Sequence, residues 1–252
     1  MLYLVEHFYS IQGEGRYTGR PSLFFRFGGC NMRCEGFGCR ETAPDGAAVT
    51  GCDTVYAVDR AHFGTRWLCI EHRDELITIL KSYDLPEGAD IVMTGGEPLI
   101  YADNAVFVAF VEYLVASGRR VTFETNGAMP VNFERFPVYR QCIFALSVKL
   151  ANSGEPFARR VRPAAFVPIA AHAKESFFKF TIDRDSIGEN MEHEIDGITA
   201  YAPQLEVFCM PMGGSRADIE ANTEAVVGFC KARGYTYSDR LHIRIWDRNK
   251  GV

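Results

Sequence analysis

The sequence predicts a single-domain α/β fold over residues 1–252, with a mainly parallel sheet arranged as a partial (β/α) barrel. Short apolar runs of strand length alternate with segments of helical periodicity, which is the pattern of successive βαβ units. Polar or glycine-rich motifs follow four of the predicted strands, and active sites of such folds gather at the carboxyl ends of strands. No tandem repeat or low-complexity linker divides the chain.

The first half of the chain contains strands separated by loops and two helices. Apolar runs predict strand-like elements at 2–9, 22–27, 90–94 and 121–125. Apolar residues at helical spacing predict a helix over 71–83. Asp103 is the predicted cap of a second helix, which is expected to end at Gly118. Residues 55–67 show no period and are expected to be irregular.

The second half repeats this alternation. Apolar runs predict further strands at 143–147, 177–182, 205–210 and 241–246. Three apolar residues at helical spacing predict a helix: Met191, Ile195 and Ile198. Ser215 and Asp218 resemble a capping box, and the helix they begin is expected to end near Gly234.

Composition and charge narrow the class of protein. The net charge of −5 gives no indication of nonspecific nucleic-acid binding, and no apolar run approaches the length of a membrane span. The first ten residues are too short and too acidic for a signal peptide, so a reducing cytoplasm is the expected compartment. Cysteines there are metal ligands or buried thiols rather than disulfides. Four of them lie in apolar segments and are predicted to be core: Cys69, Cys142, Cys209 and Cys230.

The other four cysteines lie in one glycine-rich loop, residues 27–54. They are Cys30, Cys34, Cys39 and Cys52. Thiolates that converge from such a loop suit a soft metal centre, and three of them on a four-iron cluster would leave one iron open to a small molecule. A structural zinc site is the alternative, although zinc usually takes close cysteine pairs or a Cys/His mixture and no histidine lies in this loop.

The motifs at the ends of the predicted strands suggest a ligand site. In the Gly-Gly-Glu-Pro turn at 95–98, missing Cβ atoms let a ligand approach the backbone, and the adjacent carboxylate suits an ammonium group. Glu124 is a second carboxylate at a strand end. Ser147 suits a ribose hydroxyl, and Lys149 suits a carboxylate. The alternative for residues 95–98 is a plain turn. The alternative for Glu124 is a solvated residue or an internal salt bridge. The alternative for Ser147 and Lys149 is a strand that ends at the surface.

These motifs together resemble the radical S-adenosylmethionine superfamily and, more narrowly, the 7-carboxy-7-deazaguanine synthase family. The resemblance spans nearly the whole chain. In chain order it is carried by residues 9–15 (YSIQGEG), 25–31 (FRFGGCN), 52–54 (CDT), 94–98 (TGGEP), 124–127 (ETNG), 147–149 (SVK) and 241–242 (LH). It implies a partial (β/α) barrel of the radical S-adenosylmethionine type. It also implies a [4Fe–4S] cluster, S-adenosyl-L-methionine and Mg²⁺ as cofactors.

The chain departs from the family pattern in the cysteine loop. The family commonly has a short interval to the third cysteine, whereas Cys52 lies eighteen positions after Cys34 and Cys39 intervenes. The cluster ligands are therefore Cys30 and Cys34 with either Cys52 or Cys39. Cys52 is favoured because Asp-Thr follows it as in the family, and residues 35–51 are then an inserted segment. Val148 also stands where the family usually has proline.

The resemblance implies residues for each cofactor. Thr54 would ligate Mg²⁺ through oxygen, although it is equally a candidate for capping a turn. No side chain is assigned as catalytic, because the cofactor radical does the chemistry. The residues expected to hold S-adenosyl-L-methionine are Gly51, Asp53, Gly95, Gly96, Glu97, Glu124, Ser147, Val148, Lys149, Met210, Pro211, Met212 and Gly213.

The implied reaction converts 6-carboxy-5,6,7,8-tetrahydropterin to 7-carboxy-7-deazaguanine with loss of ammonia, in the queuosine and 7-deazapurine pathway. The implied substrate-binding residues are Ile11, Gln12, Gly13, Glu14, Arg26, Thr94 and His242. Arg26 would form a forked pair with the substrate carboxylate. The alternatives are an internal Arg26–Glu14 pair and a core role for His242 in its predicted strand.

The resemblance further implies a homodimer and an external one-electron donor such as flavodoxin, with no direct nucleic-acid or membrane partner. Two rival functions remain from the sequence. One is a radical S-adenosylmethionine activase that installs a glycyl radical on a partner protein. The other is a noncatalytic zinc or iron–sulfur binding module.

Overall fold

The computed structural model describes residues 1–252, and one large sheet runs through it. Its strands are β1 (Leu2–Ile11), β2 (Pro21–Phe27), β3 (Cys39–Thr42), β4 (Ala48–Gly51), β5 (Leu68–Ile70), β6 (Asp90–Gly95), β7 (Val121–Thr125), β8 (Ile143–Leu146), β9 (Glu175–Ile182), β10 (Val207–Pro211) and β11 (Thr236–Tyr237). Nine strands form the large sheet in the order β11-β10-β9-β8-β7-β6-β2-β1-β5, and β3 with β4 forms a separate hairpin.

Nine α-helices connect or flank the strands. They are α1 (Val55–Val58), α2 (Arg60–Phe63), α3 (Arg73–Lys81), α4 (Ala105–Ala116), α5 (Phe157–Arg160), α6 (Pro163–His172), α7 (Glu189–Thr199), α8 (Arg216–Arg233) and α9 (Leu241–Trp246). Short 3-10 turns supplement them at Gly15–Tyr17, Glu35–Phe37, Gly64–Arg66, Pro98–Tyr101, Pro137–Gln141, Ala151–Ser153 and Arg184–Ser186. None of the helices is long and apolar enough to cross a membrane.

The sheet is mostly parallel and open. Strands β2 and β6 to β11 pair in parallel, whereas β1 pairs antiparallel with β2 and with β5. The edge strands β5 and β11 do not meet, so the sheet is a partial barrel and the predicted fold class is confirmed. The carboxyl ends of the parallel strands lie along one edge, and the loops that follow them meet there.

Aromatic side chains fix the sheet against its helices. Phe123 of β7 stacks on Phe144 of β8, with ring centroids 5.0 Å apart. Phe107 of α4 packs edge-on against Phe27 of β2 at the same centroid distance of 5.0 Å. All four rings are fully buried, and each contributes roughly 1.5–3 kcal/mol through loss of water contact. The strand ends are therefore held in fixed positions beneath the loops.

Most of the predicted elements are present. The helix predicted over 71–83 spans Arg73–Lys81, and the three apolar residues that predict α7 are all buried. The Ser215 side chain accepts a hydrogen bond from the Asp218 amide at the start of α8. Gly234 ends that helix in the left-handed region, with φ of 69°. These local signals are reliable because capping and helical spacing act within one or two turns.

Three predictions about elements were wrong. Residues 241–246 form helix α9 rather than a last strand, because the edge next to β10 is already taken by β11. Asn104, not Asp103, caps α4: its side chain accepts hydrogen bonds from the amides of Val106 and Phe107. The stretch expected to be irregular, 55–67, contains α1 and α2. Short helices of one turn carry no periodic signal that a sequence can show.

The four cysteines predicted as core differ in burial. Cys142, Cys209 and Cys230 are buried, whereas Cys69 is only half-buried. Cys69 lies on β5, an edge strand of three residues that pairs only with β1. The edge position leaves part of the side chain uncovered.

Candidate active site

A cavity of about 910 Å³ opens at the carboxyl ends of the parallel strands. Strand alternation explains its lining, because every second residue of a strand points to the same side of the sheet. Thr94 and Arg26 are paired neighbours on β6 and β2, and both line the cavity. Glu124 on β7 and Lys179 on β9 line it as well. The face of the sheet that lines the cavity is therefore polar near the carboxyl ends of these strands.

The structure brings most of the predicted site residues together. Those that line the cavity are Ile11, Gln12, Gly13, Glu14, Arg26, Cys30, Cys34, Cys39, Cys52, Asp53, Thr54, Thr94, Gly95, Gly96, Glu124, Ser147, Lys149, Met210, Met212, Gly213 and His242. Four predicted residues do not line it: Gly51, Glu97, Val148 and Pro211. Each of these four lies beside residues that do.

The long cysteine interval is bridged by a β-hairpin. Strands β3 and β4 pair so that Cys39 stands opposite Gly51, which directly precedes Cys52. The hairpin leaves and returns at one place, so Cys52 lies beside Cys39 although thirteen positions separate them. Of these two thiols, only Cys52 packs with Cys30 against the small buried cluster formed by Met32, Cys34 and Ala128.

The three thiols Cys30, Cys34 and Cys52 share one corner of the cavity. Burial raises the pKa of Cys30, and the neighbouring thiols Cys34 and Cys52 raise it further. Burial likewise raises the pKa of Cys34 to about 11, although Lys149 opposes the shift. No three His, Cys, Asp or Glu side chains close on a single metal ion. Three sulfur donors spread around one corner fit a larger group such as a [4Fe–4S] cluster.

A buried carboxylate holds the cysteine loop. Glu155 Oε1 accepts hydrogen bonds from the amides of Arg33, at 2.5 Å, and Cys34, at 3.1 Å. Cys34 adopts the left-handed conformation with φ of 52°, which is uncommon for a residue other than glycine. Gly36 passes so close to the backbone of Asn152 that a Cβ atom would lie 2.4 Å from its carbonyl oxygen. The loop is thus fastened to the segment that follows β8.

The glycine turn after β6 forms a ledge of bare backbone. A Cβ atom on Gly95 would lie 2.2 Å from the Phe27 carbonyl oxygen, and one on Gly96 would lie 2.3 Å from the Gly29 carbonyl oxygen. Only glycine fits at either position. Glu97 is fully buried behind the ledge and accepts hydrogen bonds from Leu99 N, Thr125 Oγ1 and Asn126 N. Its carboxylate therefore braces the turn and does not line the cavity.

A network of opposite charges lies on the other side of the cavity. Glu14 pairs with Lys179 at 2.7 Å and with Arg240 at 2.8 Å, and Arg240 also pairs with Asp53 at 2.7 Å. Burial alone raises the pKa of Glu14, but the two cations outweigh it and bring the pKa well below its usual range. Glu14 is therefore ionised in the folded protein.

Glu124 belongs to the same network. Its Oε1 lies 3.3 Å from Lys179 Nζ and accepts a hydrogen bond from Gln12 Nε2 at 3.3 Å. Its Oε2 accepts a hydrogen bond from Thr94 Oγ1 at 3.0 Å. The internal salt bridge that was the alternative for Glu124 is thus present, and the side chain still lines the cavity.

Lys179 and Arg240 were missed by the sequence analysis. Lys179 is the one charged residue inside an otherwise apolar stretch of β9, and its side chain is only 4% exposed. A lone cation in a buried strand requires partners, so this pattern was a usable signal. Arg240 directly precedes the recognised Leu-His motif, but nothing in its local sequence marks it as buried.

Arg26 pairs inside the protein, but not with Glu14 as the alternative supposed. Its Nε donates a hydrogen bond to Glu6 Oε1 at 2.7 Å, and its guanidinium carbon lies 5.9 Å from the centre of the Tyr56 ring. Tyr56 also donates a hydrogen bond to Glu6 Oε1 at 2.8 Å. The two Nη groups of Arg26 have no hydrogen-bond partner in the protein. They remain available to a carboxylate in the cavity.

His242 lies on helix α9, so its predicted strand was wrong. The side chain is 35% exposed and lines the cavity, which differs from the fully buried core histidine of the alternative. It closes over the loop between β1 and β2: a Cβ atom on Gly13 would lie 1.9 Å from His242 Nδ1. Burial lowers the pKa of His242, while Glu14 opposes the shift.

The residues after β8 form the last wall. Lys149 Nζ donates a hydrogen bond to Ser147 Oγ at 3.1 Å, and both side chains line the cavity. Val148 between them is buried in the core on the opposite side. The motif thus keeps its hydroxyl and amine on one side although valine replaces the usual proline.

Comparison with curated proteins identifies the family. The chain is 30% identical over 265 residues to the 7-carboxy-7-deazaguanine synthase of Halobacterium salinarum, which covers 96% of this chain and 89% of the relative. The chain belongs to the 7-carboxy-7-deazaguanine synthase family. The corresponding synthase of Pyrobaculum aerophilum is also 30% identical, over 98% of this chain and 96% of its own length. A scan against protein-family models gives no match.

Solved structures agree on the fold. QueE from Escherichia coli superposes with a TM-score of 0.65 at 20% identity, over 96% of this chain and 95% of its own. SuiB from Streptococcus suis, solved with S-adenosylmethionine, superposes with a TM-score of 0.50 at 13% identity, over 75% of this chain and 47% of its own. The partial barrel is thus a fold that this chain shares with QueE and with SuiB.

Family membership makes the chain an enzyme, a lyase, and the noncatalytic binding module is therefore wrong. The radical S-adenosylmethionine class implies S-adenosyl-L-methionine and a [4Fe–4S] cluster. The residues present fit both groups. Three thiols occupy one corner, and a ledge without Cβ atoms lies in the same cavity.

Proposed function

We propose that the enzyme converts 6-carboxy-5,6,7,8-tetrahydropterin to 7-carboxy-7-deazaguanine with loss of ammonia. One observation carries the proposal: a single cavity holds the thiol corner, the bare glycine ledge and a wall of opposite charges. The first two features suit an iron–sulfur cluster and an amino acid moiety. The third suits a substrate that has both a carboxylate and several N–H donors. The family to which the chain belongs makes this reaction the expected one.

The cofactor half of the cavity is formed by the thiols, the ledge and the residues after β8. Cys30, Cys34 and Cys52 hold the cluster, and the Gly95–Gly96 backbone receives the methionyl group of S-adenosyl-L-methionine. Ser147 and Lys149 offer a hydroxyl and an ammonium group to its ribose and carboxylate. When bound there, the cluster and S-adenosyl-L-methionine would supply the one-electron chemistry that starts the reaction by hydrogen-atom removal from the substrate.

The substrate half is formed by the charge network. Glu14, which is ionised, and Glu124 beside it accept hydrogen bonds from the N–H groups of the pterin, and the Lys179 ammonium group keeps both side chains in place. Arg26 uses its two Nη groups for the substrate carboxylate, while Glu6 holds Nε. His242 and the 11–14 loop cover the substrate and exclude water from it.

Mg²⁺ binding by Thr54 belongs to the same proposal. Thr54 precedes helix α1 as its N-cap residue, but its side chain makes no capping hydrogen bond. The hydroxyl oxygen instead lies 3.4 Å from Cys52 Sγ and lines the cavity. A hard oxygen donor beside the cluster corner is suited to Mg²⁺ that also contacts the substrate.

A homodimer, a flavodoxin as electron donor and a place in queuosine or other 7-deazapurine synthesis complete the proposed function. Each remains a prediction from the family resemblance, as does the cytoplasmic location.

Anaerobic turnover tests the proposal. Purified enzyme, reconstituted with iron and sulfide, is mixed with dithionite, S-adenosyl-L-methionine, Mg²⁺ and the pterin. We expect 7-carboxy-7-deazaguanine, identified by mass spectrometry and its ultraviolet spectrum. Cleavage of S-adenosyl-L-methionine without a deazaguanine product would contradict the synthase reaction and favour the glycyl-radical activase.

A further inference from the structure

Arg240 lies at the boundary between the cofactor half and the substrate half of the cavity. Its side chain is only 10% exposed, and the residue lines the cavity. It directly precedes α9 and belongs to none of the motifs that carry the family resemblance. A buried cation needs partners, and the partners of Arg240 show which parts of the chain it joins.

Each nitrogen atom of the Arg240 guanidinium donates a hydrogen bond to a different segment of the chain. Nε donates to Glu14 Oε1 at 2.8 Å, and Nη2 donates to Asp53 Oδ2 at 2.7 Å. Nη1 donates to the backbone carbonyl of Gly213. These acceptors lie in the turn after β1, the turn after Cys52 and the turn after β10. A planar guanidinium suits this arrangement because it donates in several fixed directions at once.

The three segments serve different ligands in the proposed function. Glu14 belongs to the substrate half, where it accepts hydrogen bonds from the pterin. Asp53 and Gly213 are among the residues expected to hold S-adenosyl-L-methionine. The Arg240 side chain therefore connects the residues that bind one ligand with those that bind the other.

The backbone around Arg240 is fixed to the substrate half. The Leu241 amide donates a hydrogen bond to the Gly13 carbonyl at 2.9 Å, and the Gly15 amide donates one to Ser238 Oγ at 2.7 Å. Ser238 and Arg240 are both buried. The segment that contains Arg240 therefore forms one unit with the substrate loop, and the guanidinium extends from this unit to the cofactor half.

We propose that Arg240 is a positioning residue that couples the binding of S-adenosyl-L-methionine to the binding of the pterin. This inference rests on the proposed function, which assigns the two ligands to the two halves of the cavity. A ligand that orders one of the three segments also fixes the guanidinium, so the segments of the other ligand are ordered at a lower entropic cost. The coupling is positive and reciprocal, because each ligand must tighten the binding of the other by the same factor.

Equilibrium binding to the reconstituted enzyme tests the coupling without turnover, since no reductant is added. The dissociation constant of S-adenosyl-L-methionine is measured without pterin and with saturating pterin. We expect pterin to lower it by about fivefold or more in the unmodified enzyme. Arg240→Lys keeps the charge, but a single nitrogen atom cannot reach three separated acceptors, so the effect of pterin is lost. An effect of pterin that persists in Arg240→Lys would overturn the proposal.

Arg244→Lys is the matched control. Arg244 lies on α9, pairs with Asp239 at 3.0 Å and does not line the cavity. The variant makes the same substitution one helical turn further along the chain, and it is expected to keep the effect of pterin. An equal loss in both variants would refute the role of Arg240, because damage to the start of α9 would then explain the result. Arg240→Gln takes the place of Arg240→Lys if the lysine variant does not fold.

Hydrogen exchange tests the coupling without the pterin. S-adenosyl-L-methionine is added alone to the reconstituted enzyme, and exchange is followed by mass spectrometry in the peptide that contains residues 11–19. We expect slower exchange there in the unmodified enzyme, although this peptide lies in the substrate half, and no such change in Arg240→Lys. Slower exchange at residues 210–213 in both proteins shows that the ligand is bound. Unchanged exchange of residues 11–19 in the unmodified enzyme would contradict the coupling.

The two experiments separate this inference from the proposed function. An enzyme that does not bind the pterin refutes the synthase reaction, whereas exchange of residues 11–19 still reports on Arg240. An enzyme that forms 7-carboxy-7-deazaguanine but shows neither the effect of pterin nor the change in exchange refutes the coupling and leaves the synthase activity standing.

Discussion

The Lys179 ammonium group lies 2.7 Å from the Glu14 carboxylate, although the two residues are 165 positions apart in the chain. Lys179 comes from the middle of β9, and Glu14 comes from the turn between β1 and β2. Both side chains are almost fully buried, at 4% and 11% exposure. The pair therefore links the turn after β1 to strand β9 across the substrate half of the cavity.

Replacement of Lys179 tests the importance of this pair for stability. In Lys179→Met, Glu14 and the half-buried Glu124 lose the cation that they share, and only Glu14 keeps a cationic partner, Arg240. Removal of one partner from a buried pair typically costs about 3–5 kcal/mol in the free energy of unfolding. Urea unfolding followed by circular dichroism measures this loss. Lys81→Met on the surface is the control, and a loss of the same size there would contradict the prediction.

The pH dependence of stability tests the ionised state of Glu14. Its pKa in the folded protein lies well below the ordinary value of 4.5, so the unfolded chain takes up a proton first as the pH falls. The stabilisation is complete above about pH 4.5 and is lost as the pH falls toward the folded pKa. Glu14→Gln is expected to reduce the fall in unfolding free energy between pH 4.5 and lower pH, which is called here the acid limb. The exposed Glu220→Gln variant keeps the steep limb of the wild type.

The choice of the third cluster ligand is tested by two alanine variants. Cys52 packs with Cys30 near the Cys34 cluster, whereas Cys39 stands at the base of the hairpin. Cys52→Ala is therefore expected to abolish cluster loading, and Cys39→Ala is expected to leave it largely intact. Iron and sulfide analysis after anaerobic reconstitution measures both. The opposite pattern would assign Cys39 as the ligand.

The contact between Gly13 and His242 makes a steric prediction. A Cβ atom at Gly13 would overlap His242 Nδ1 at 1.9 Å, so Gly13→Ala displaces the imidazole from the cavity. We expect pterin affinity to fall about tenfold or more while S-adenosyl-L-methionine affinity is unchanged. Equilibrium binding of each ligand to the reconstituted enzyme measures the difference. Gly88→Ala, at an exposed position with open space around it, is the control.

The role of Arg26 is tested by a conservative change. Arg26→Lys keeps the charge but removes the planar fork that suits a carboxylate. Substrate affinity is expected to fall more than S-adenosyl-L-methionine affinity, because only the substrate half of the cavity contains Arg26. Isothermal titration with each ligand gives the two affinities. An equal loss of both would show that Arg26 only supports the fold through Glu6.

The sequence predicted the parallel sheet and most of its strands, because buried strands and capped helices carry their signals locally. It predicted the motifs at the strand ends for the same reason, and the common edge of a parallel sheet brought them together. It did not predict that α9 is a helix or that Arg26 pairs with Glu6. Those outcomes depend on which partner occupies a sheet edge or a neighbouring strand position. The pairings of Lys179 and Arg240 were not predictable because their partners are far away in the sequence, although the lone lysine in an apolar strand marks Lys179 locally.

The pairing of Cys39 with Gly51 has a consequence for how such proteins are recognised. A β-hairpin brings the residues at its two ends side by side, so the geometry at its base is the same whatever the length of the hairpin. A signature written as fixed intervals between ligands fails on such a chain, whereas one written on the residues flanking each ligand succeeds. Surveys for radical enzymes gain members when they allow the third interval to vary freely.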